Sequence, residues 1–169
     1  MNLMIIILIM LTITYILMYT KPKITVEILQ GNIEDITPEM LLEKQPVVIF
    51  DKIVDIEDII RVTFKYLYSF SKTNEILPNN VYQSNSRYTL LHNTTSDALE
   101  ININKSRRKM NHLNAFYTCL GKDTIHDDKQ IKIILQPHNV LVVPYLYTFQ
   151  SNKQIAVTFL NDFTHIISP

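Results

Sequence analysis

The order of hydrophobic and polar positions divides the chain into stretches of different period. From Leu3 to Tyr19 the sequence LMIIILIMLTITYILMY carries no charge, and only threonines and tyrosines interrupt it. Such a run is long enough to cross a hydrocarbon core as a helix. Lys23 to Leu29 then alternates Ile24, Val26 and Ile28 with Thr25, Glu27 and Leu29, the period of a half-buried strand that Gln30-Gly31-Asn32 should turn. Thr37-Pro38-Glu39 has the form of a helix start, Thr as cap and Pro in the first turn. That short helix, Met40-Leu41-Leu42, should stop before Gln45-Pro46. Val47-Val48-Ile49-Phe50 is apolar and bounded by breakers, which predicts a buried strand. From Asp55, residues Ile56, Ile59, Ile60, Thr63, Phe64 and Leu67 recur at three- and four-residue intervals, the pattern of an amphipathic helix packed on a core.

Ser71 to Asn80 is polar and reads as a loop. Beyond it the spacing predicts short strands at Val81–Gln83, Arg87–His92, Ala98–Ile103 and Leu113–Leu120, with a charged turn over Asp123–Gln130. The most informative stretch is Ile131 to Phe159. The β-branched run Ile131-Lys132-Ile133-Ile134 is broken by Gln136-Pro137-His138-Asn139. Val140 to Val143 resumes until Pro144, and a polar turn at Gln150-Ser151-Asn152-Lys153 leads into Ile155-Ala156-Val157-Thr158-Phe159. These runs read as the closing hairpins of a barrel.

Composition narrows the function classes. The chain has 169 residues, 47% hydrophobic and 19% charged, which suits one domain with a real core. Its formal net charge of +0 supplies no electrostatic footprint for nucleic acid, and the basic cluster Lys105-Ser106-Arg107-Arg108-Lys109 reads as a solvated hairpin tip. The single cysteine, Cys119, excludes an internal disulfide and a cysteine-based zinc site, and it reads as a small buried hydrophobe. The abundance of Ile, Asn, Lys and Tyr, with 2 Gly and no Trp, has the bias of an AT-rich genome. Neither a phosphate-cradling glycine loop nor a nucleophile elbow is present.

The amino terminus lacks the basic start and small-residue exit of a cleavable signal peptide, so residues 1–20 are expected to remain as an anchor. Lys21 and Lys23 follow it directly, which favours a cytosolic carboxyl-terminal domain.

Two stretches resemble the JmjC-type cupin-like domains. Leu41-Leu42-Glu43-Lys44-Gln45-Pro46-Val47-Val48-Ile49 is similar to the helix and Q-P-V-V-I strand that begin that domain. Val140-Leu141-Val142-Val143-Pro144-Tyr145, with Tyr147 and the run from Ile155 to Phe159, is similar to its close. The resemblance covers most of Leu41 to Phe159. It implies a mainly β fold with flanking helices: a cupin-like double-stranded β-helix barrel over 21–169, behind the transmembrane helix.

Metal-dependent members of that family hold Fe(II) with an H-x-D or H-x-E pair and a distal histidine. Set against Leu90-Leu91-His92-Asn93-Thr94, the resemblance puts His92 at the first ligand, Thr94 at the carboxylate and Thr148 at the distal histidine. Two of three ligands would be lost, and threonine supplies no carboxylate charge. His126-Asp127-Asp128 also contains H-x-D but lies in a charged turn, with His138 and His165 out of register as partners. His112 reads as a surface residue, and Arg87 as an edge-strand charge rather than a cosubstrate ligand. The expectation is a domain with no metal and no cofactor that acts by binding. Its partners would be the lipid bilayer and other proteins, not nucleic acid. A degenerate, anchored cupin domain of this composition resembles membrane-associated and minor capsid proteins of large DNA viruses. The alternatives are an Fe(II)/2-oxoglutarate-dependent hydroxylase with atypical ligands, and a metal-free barrel binding a small ligand among Tyr88, His92, Tyr145 and Tyr147.

Overall fold

The computed structural model describes residues 3–20, 26–37, 40–41, 43–50, 70–105, 116–121 and 130–161. The helix predicted from Asp55 lies outside them, as do His112, His126-Asp127-Asp128 and His165.

A helix, α1 (Leu3–Thr20), occupies the uncharged run. At 1.5 Å per residue its 18 residues rise about 27 Å, some 3 Å less than a hydrocarbon core of about 30 Å. Among the described residues no helix is long and apolar enough to cross a membrane.

Everything else described is β-structure and its turns, apart from a 3-10 turn at Ile33–Asp35 and the residues after Thr37. The strands are β1 (Leu29–Gly31), β2 (Val47–Ile49), β3 (Phe70–Ile76), β4 (Val81–Ser84), β5 (Tyr88–His92) and β6 (Leu99–Lys105). They continue as β7 (Tyr117–Gly121), β8 (Ile131–Leu135), β9 (Val140–Pro144), β10 (Tyr147–Ser151) and β11 (Ile155–Asn161). One sheet runs β1-β2-β9-β5-β11-β3 and the other β7-β4-β10-β6-β8. With β1, β2 and β7 set aside as additions at the edges, eight strands remain, and numbered along the chain they order 1-8-3-6 in one sheet and 2-7-4-5 in the other. That is the two-Greek-key order of a double-sheet jelly roll, the architecture to which cupins belong. The domain is a mainly β, two-sheet sandwich consistent with a cupin-like fold.

This order corrects the expectation of closing hairpins. β8 and β9 belong to different sheets, and so do β9 and β10, and β10 and β11. The chain crosses between sheets at each turn, and pairing is between strands distant in sequence. The sequence reading also left out two strands. Phe70–Ile76 is not a loop but pairs antiparallel with β11 along its whole length. An edge position at the side of a sheet tolerates Ser, Lys, Thr, Asn and Glu, so polarity concealed the strand. The polar turn expected at Gln150-Ser151-Asn152-Lys153 starts later, since Gln150 and Ser151 belong to β10, which lies between β4 and β6.

At the amino-terminal side, Lys23–Leu29 is expected as a strand; Lys23, Ile24 and Thr25 lie outside the described residues, and among the described ones residues 26–28 are not strand and β1 begins at Leu29. β1 exists because it lies parallel to β2, a pairing that a local pattern does not reveal. Thr37 does cap as expected: its Oγ1 accepts a hydrogen bond from the Met40 N–H at 3.3 Å. Cys119, expected to be buried, is exposed, because β7 is an edge strand added to β4.

Strand alternation sorts side chains between two cores. Leu91, Leu141, Val143, Val157 and Phe159 of the first sheet meet Ile101, Ile103, Ile133, Tyr147 and Phe149 of the second in the sandwich interior. On the other face of the first sheet, Tyr88, Leu90, Val140, Val142 and Leu160 pack against Leu41, with Ile33 and Ile36 at the margin. A sheet covered on both faces explains why Val140-Leu141-Val142-Val143-Pro144 is buried throughout and shows no alternation in sequence.

Candidate functional site

The register does not bring the three expected metal positions together. His92 ends β5, opposite Val140 and Ala156. Thr148 stands in the other sheet, opposite Gln83 and Asn104. The β4–β5 connection lies at Thr148's end of the sandwich, since the Leu146 N–H donates to Ser84 O at 3.4 Å and the Tyr145 N–H to Arg87 O at 3.1 Å. From there β5 runs four residues to His92, a distance of about 13 Å at 3.3 Å per residue. Alternation also turns Thr148 away from the interior, because its neighbours Tyr147 and Phe149 are the inward pair. Its hydroxyl donates to the Asn104 carbonyl at 3.2 Å. Thr94 is exposed in the loop after β5. The assignment of His92, Thr94 and Thr148 to one mouth is therefore corrected, as the short motifs that suggested it fall in different sheets and at opposite ends.

The aromatic pocket meets the same obstacle. Tyr88 faces the outer core, and its hydroxyl donates to Leu41 O at 3.2 Å. His92, two steps along, shares that face by parity. Tyr147 is inside the sandwich and Tyr145 is half-buried in the β9–β10 turn. The four residues do not line one cavity.

What the register does assemble is a polar end to the otherwise apolar interior. In β4, Tyr82 points inward and stacks on Phe149 with centroids 5.9 Å apart, so Ser84 points inward too. In β5 the inward residue Leu91 makes Thr89 inward, and in β6 the inward residue Ile103 does the same for Lys105. Ser84 and Thr89 are fully buried and their hydroxyls lie 2.5 Å apart, joining one sheet to the other. Ser84 Oγ donates onward to Ser86 O at 3.2 Å, which leaves Thr89 as the donor between the two hydroxyls. Lys105 stands directly opposite Tyr147, so their side chains leave the sheet on the same face as cross-strand neighbours.

Charge gathers at this end. Arg87, expected to be an ordinary edge charge, is only 6% exposed. Its backbone N–H donates to Asn161 Oδ1 at 2.8 Å and its guanidinium lies 5.6 Å from the centre of the Tyr88 ring. Lys44 follows the turn that Leu41 begins, its N–H donating to Leu41 O at 3.2 Å, in a left-handed conformation with φ 54°. Burial, with the nearby positive charges of Arg87 and Lys105, lowers the Lys44 amine from 10.5 to about 8. Burial also lowers Lys105. The Tyr147 hydroxyl is buried without a hydrogen-bond partner, and burial pushes its phenol up to about 12.

These shifts predict a pH dependence with a definite sign. Between about 8 and 10.5 the unfolded chain holds the Lys44 proton more tightly than the folded one, so stability rises with pH through that window. Below about 8 the penalty is complete and constant. The full linkage would be roughly 3 kcal/mol, and screening of a partly exposed amine reduces it to about 1–2 kcal/mol. Lys105 acts in the same direction. Tyr147 opposes both above pH 10, where only the unfolded phenol ionises. Chemical denaturation at pH 7.5 and pH 9.5 should show the gain, and Lys44→Met should remove most of it.

Among the described residues no group of three or more His, Cys, Asp and Glu is placed to hold a metal ion. The polar end carries hydroxyls, a phenol and the Lys105 amine, a donor set unsuited to Fe(II). Sequence reasoning passed over Ser84, Thr89 and Lys44 as site residues, and it read Lys105 as part of a solvated hairpin tip, whereas Lys105 ends β6. The signal for three of them was parity: each is two positions from an inward hydrophobe in its own strand, namely Tyr82, Leu91 and Ile103.

No protein-family model and no curated protein matches the chain. A solved structure of RmlC from Streptococcus suis in complex with dTDP-D-xylose is similar over 70% of this chain and 62% of that chain, at 9% identity and a TM-score of 0.33. The chain thus spans less than two thirds of that protein's length. An overlay so loose carries no argument about fold or function, and the fold stands on the strand order.

Proposed function

We propose that this protein is a membrane-tethered jelly-roll module that works by binding, as a structural or assembly component, with α1 seated in a lipid bilayer. The observation that carries the reading is the surface of α1. Every described side chain from Met4 to Thr14 is exposed and none is charged. The threonine hydroxyls turn back on the helix, Thr12 Oγ1 donating to Leu8 O and Thr14 Oγ1 to Met10 O, each at 2.8 Å. Water asks for neither feature. Hydrocarbon asks for both, because a polar group there must find its partner within the segment. The shortfall of about 3 Å in length costs only fractions of a kcal/mol per Å, which local thinning of the bilayer absorbs. Lys21 and Lys23 place the sandwich on the cytosolic side in this proposal. A concrete setting is the space between a virion's internal membrane and its protein shell, which the AT-biased composition fits.

Flotation with phosphatidylcholine vesicles tests it. The full-length chain should float with the vesicles and resist extraction by alkaline carbonate. Ile9→Arg places a charge near the middle of α1, at a cost of roughly 2.5–3.5 kcal/mol, and should leave most of the protein at the bottom of the gradient. Full-length protein that pellets away from vesicles, or that carbonate releases, would remove the tether. A stoichiometric metal ion in the purified chain would turn the reading from binding towards metal-assisted chemistry.

A further inference from the structure

The chain enters the sandwich at one identifiable end. β1 lies parallel to β2 with Leu29 opposite Val47, and the residues at its start are tied to the segment just before β2. The Leu29 N–H donates to Pro46 O and the Glu27 N–H to Gln45 Oε1, each at 3.0 Å. Val47 stands opposite Val142, and the register continues from there to Pro144, opposite Tyr88. Val26 and Ile28, packed on the sandwich interior, therefore lie towards the end that holds the β4–β5 and β9–β10 turns, the start of β7 and the last residue of β6, Lys105. From Thr20, where α1 ends, to Val26 is six Cα steps, at most about 22 Å of chain. A tether so short keeps this end next to whatever α1 enters.

What this end presents suits a membrane surface. The β9–β10 turn is Tyr145-Leu146, both half-buried, and Leu146 has φ 66°, a left-handed conformation that glycine takes at less cost than leucine. A tyrosine beside an apolar tip, wet at one side and dry at the other, is the kind of pair that membrane–water interfaces collect. Charge is polarised in the same direction. Lys44 belongs to this end by position, three residues before β2, with its N–H on the Leu41 carbonyl that also accepts from the Tyr88 hydroxyl. Among the residues whose side chains are described, Lys44, Arg87 and Lys105 outnumber Glu27 and Glu43 here. At the far end Lys132 and Lys153 are matched by Glu100 and Asp97, and Glu75 with Glu34 and Asp35, which follow the end of β1, leaves negative charge in excess. Such a sum counts charges whether or not they are paired within the protein.

We infer that the end of the sandwich bearing the Tyr145-Leu146 turn docks on an anionic lipid surface, with the turn entering the headgroup region, Lys44 and Lys105 contributing positive charge, and the opposite end projecting away from the bilayer. The inference rests on the reading of α1 as a membrane tether and adds to it an orientation and a lipid class. A neutral bilayer would hold the chain by α1 alone and leave the sandwich undocked, because the attraction of lysine to a leaflet needs anionic lipid and falls off within a Debye length.

The chain contains no tryptophan, so a single introduced one reports depth. Leu146→Trp places it at the turn, and Leu77→Trp places it at the opposite end, where Leu77 is 62% exposed just after β3. Each full-length variant is reconstituted in vesicles of phosphatidylcholine alone and of phosphatidylcholine with phosphatidylglycerol, both doped with brominated lipid as quencher. Leu146→Trp should be blue-shifted and quenched in the phosphatidylglycerol vesicles and far less in phosphatidylcholine, while Leu77→Trp stays unquenched in both. Adding Lys105→Met to Leu146→Trp should lower the ratio of docked to undocked sandwiches about fivefold, the scale of one lysine near an anionic leaflet. High salt should undock the sandwich without releasing the chain from the vesicles. Leu146→Trp that stays unquenched on phosphatidylglycerol vesicles with which the chain floats would overturn the docking and leave the tether standing. Equal quenching of the two tryptophans, or quenching of Leu146→Trp that ignores phosphatidylglycerol, would overturn it as well. Quenching of Leu146→Trp in a chain that floats only with phosphatidylglycerol would uphold the docking and remove the spanning helix, and a chain that floats with neither overturns both. If Leu146→Trp does not fold, Tyr145→Trp, an exchange of one aromatic for another in the same turn, takes the same reading.

Discussion

Truncation of Phe159 to alanine is expected to cost the fold about 3–5 kcal/mol, the range for a large side chain removed from a packed core. β11 pairs with β3 on one side and β5 on the other, so it is a central strand of its sheet. Phe159 is fully buried on its inward face, stacked on Tyr117 at 4.8 Å and tilted against Phe116 at 6.1 Å. Those two partners belong to β7 and the residue just before it, on the other sheet, so one ring holds the two sheets together. A close-packed interior collapses only in part around a deletion of this size. Against a domain margin of about 5–15 kcal/mol, the loss is a third or more of the total. Denaturant unfolding of the full-length chain should show a lower midpoint with little change in slope. Phe159→Leu, which keeps most of the volume, should cost about 1–2 kcal/mol. A loss below about 1 kcal/mol for Phe159→Ala would mean that the ring does not lie between the sheets.

How far this architecture could be read from sequence depends on which residues are considered. Ile155 to Phe159 and Leu99 to Ile103 announce themselves, because each strand has an apolar set facing an interior and the chain alternates accordingly. Val140 to Val143 is visible for a different reason: both faces are covered, so the run is continuous. Phe70 to Ile76 is not visible, because its sequence Ser71-Lys72-Thr73-Asn74-Glu75 is polar and the strand is recognised by its ladder with β11, with Ile76 at its end in the core. The double-sheet topology was legible only through resemblance. Local pattern gives strands but not partners, and here the chain alternates between sheets, which looks the same in sequence as a hairpin.

The site was less legible than the fold. Aligning short motifs placed His92 and Thr148 in one mouth, but Thr148 faces away from the interior while Tyr147 faces into it. A displacement of one residue in a strand exchanges the two faces, so a motif match without pairing information cannot say which residue lines a site. Parity within strands would have indicated Ser84, Thr89 and Lys105. Lys44 could not have been found that way. Its neighbour Leu41 docks on the outer face of the first sheet, the Leu41 carbonyl accepting from the Tyr88 hydroxyl, a contact between residues far apart in sequence.

The end of the sandwich opposite the Ser84–Thr89 pair is closed by Asn93, and its replacement by alanine is expected to cost about 3–4 kcal/mol. Asn93 is fully buried just beyond β5. Its Nδ2 donates to Asp97 O at 2.8 Å and to Leu135 O at 2.9 Å, and its Oδ1 accepts from the Thr95 N–H at 3.0 Å and the Thr95 hydroxyl at 2.7 Å. Its backbone donates to Asn139 O at 3.1 Å and accepts from the His138 N–H at 2.9 Å. The side-chain amide thus joins the end of β5 in the first sheet to the end of β8 in the second, while the Asn93 backbone, which alanine keeps, holds the turn between β8 and β9. Alanine leaves the buried Leu135 carbonyl and the half-buried Thr95 N–H without this partner, each worth about 1–3 kcal/mol when left unsatisfied, while the Asp97 carbonyl keeps the Thr95 hydroxyl at 3.0 Å. Asn93→Leu should not rescue the loss, since volume is not what the position supplies. Asn93→Asp should be at least as damaging, because a carboxylate oxygen would face the Leu135 and Asp97 carbonyls where an amide now donates. Denaturant midpoints of the three variants measure the cost. A variant at Asn93 that keeps the parental midpoint would show that the amide does not hold the two sheets together at this end.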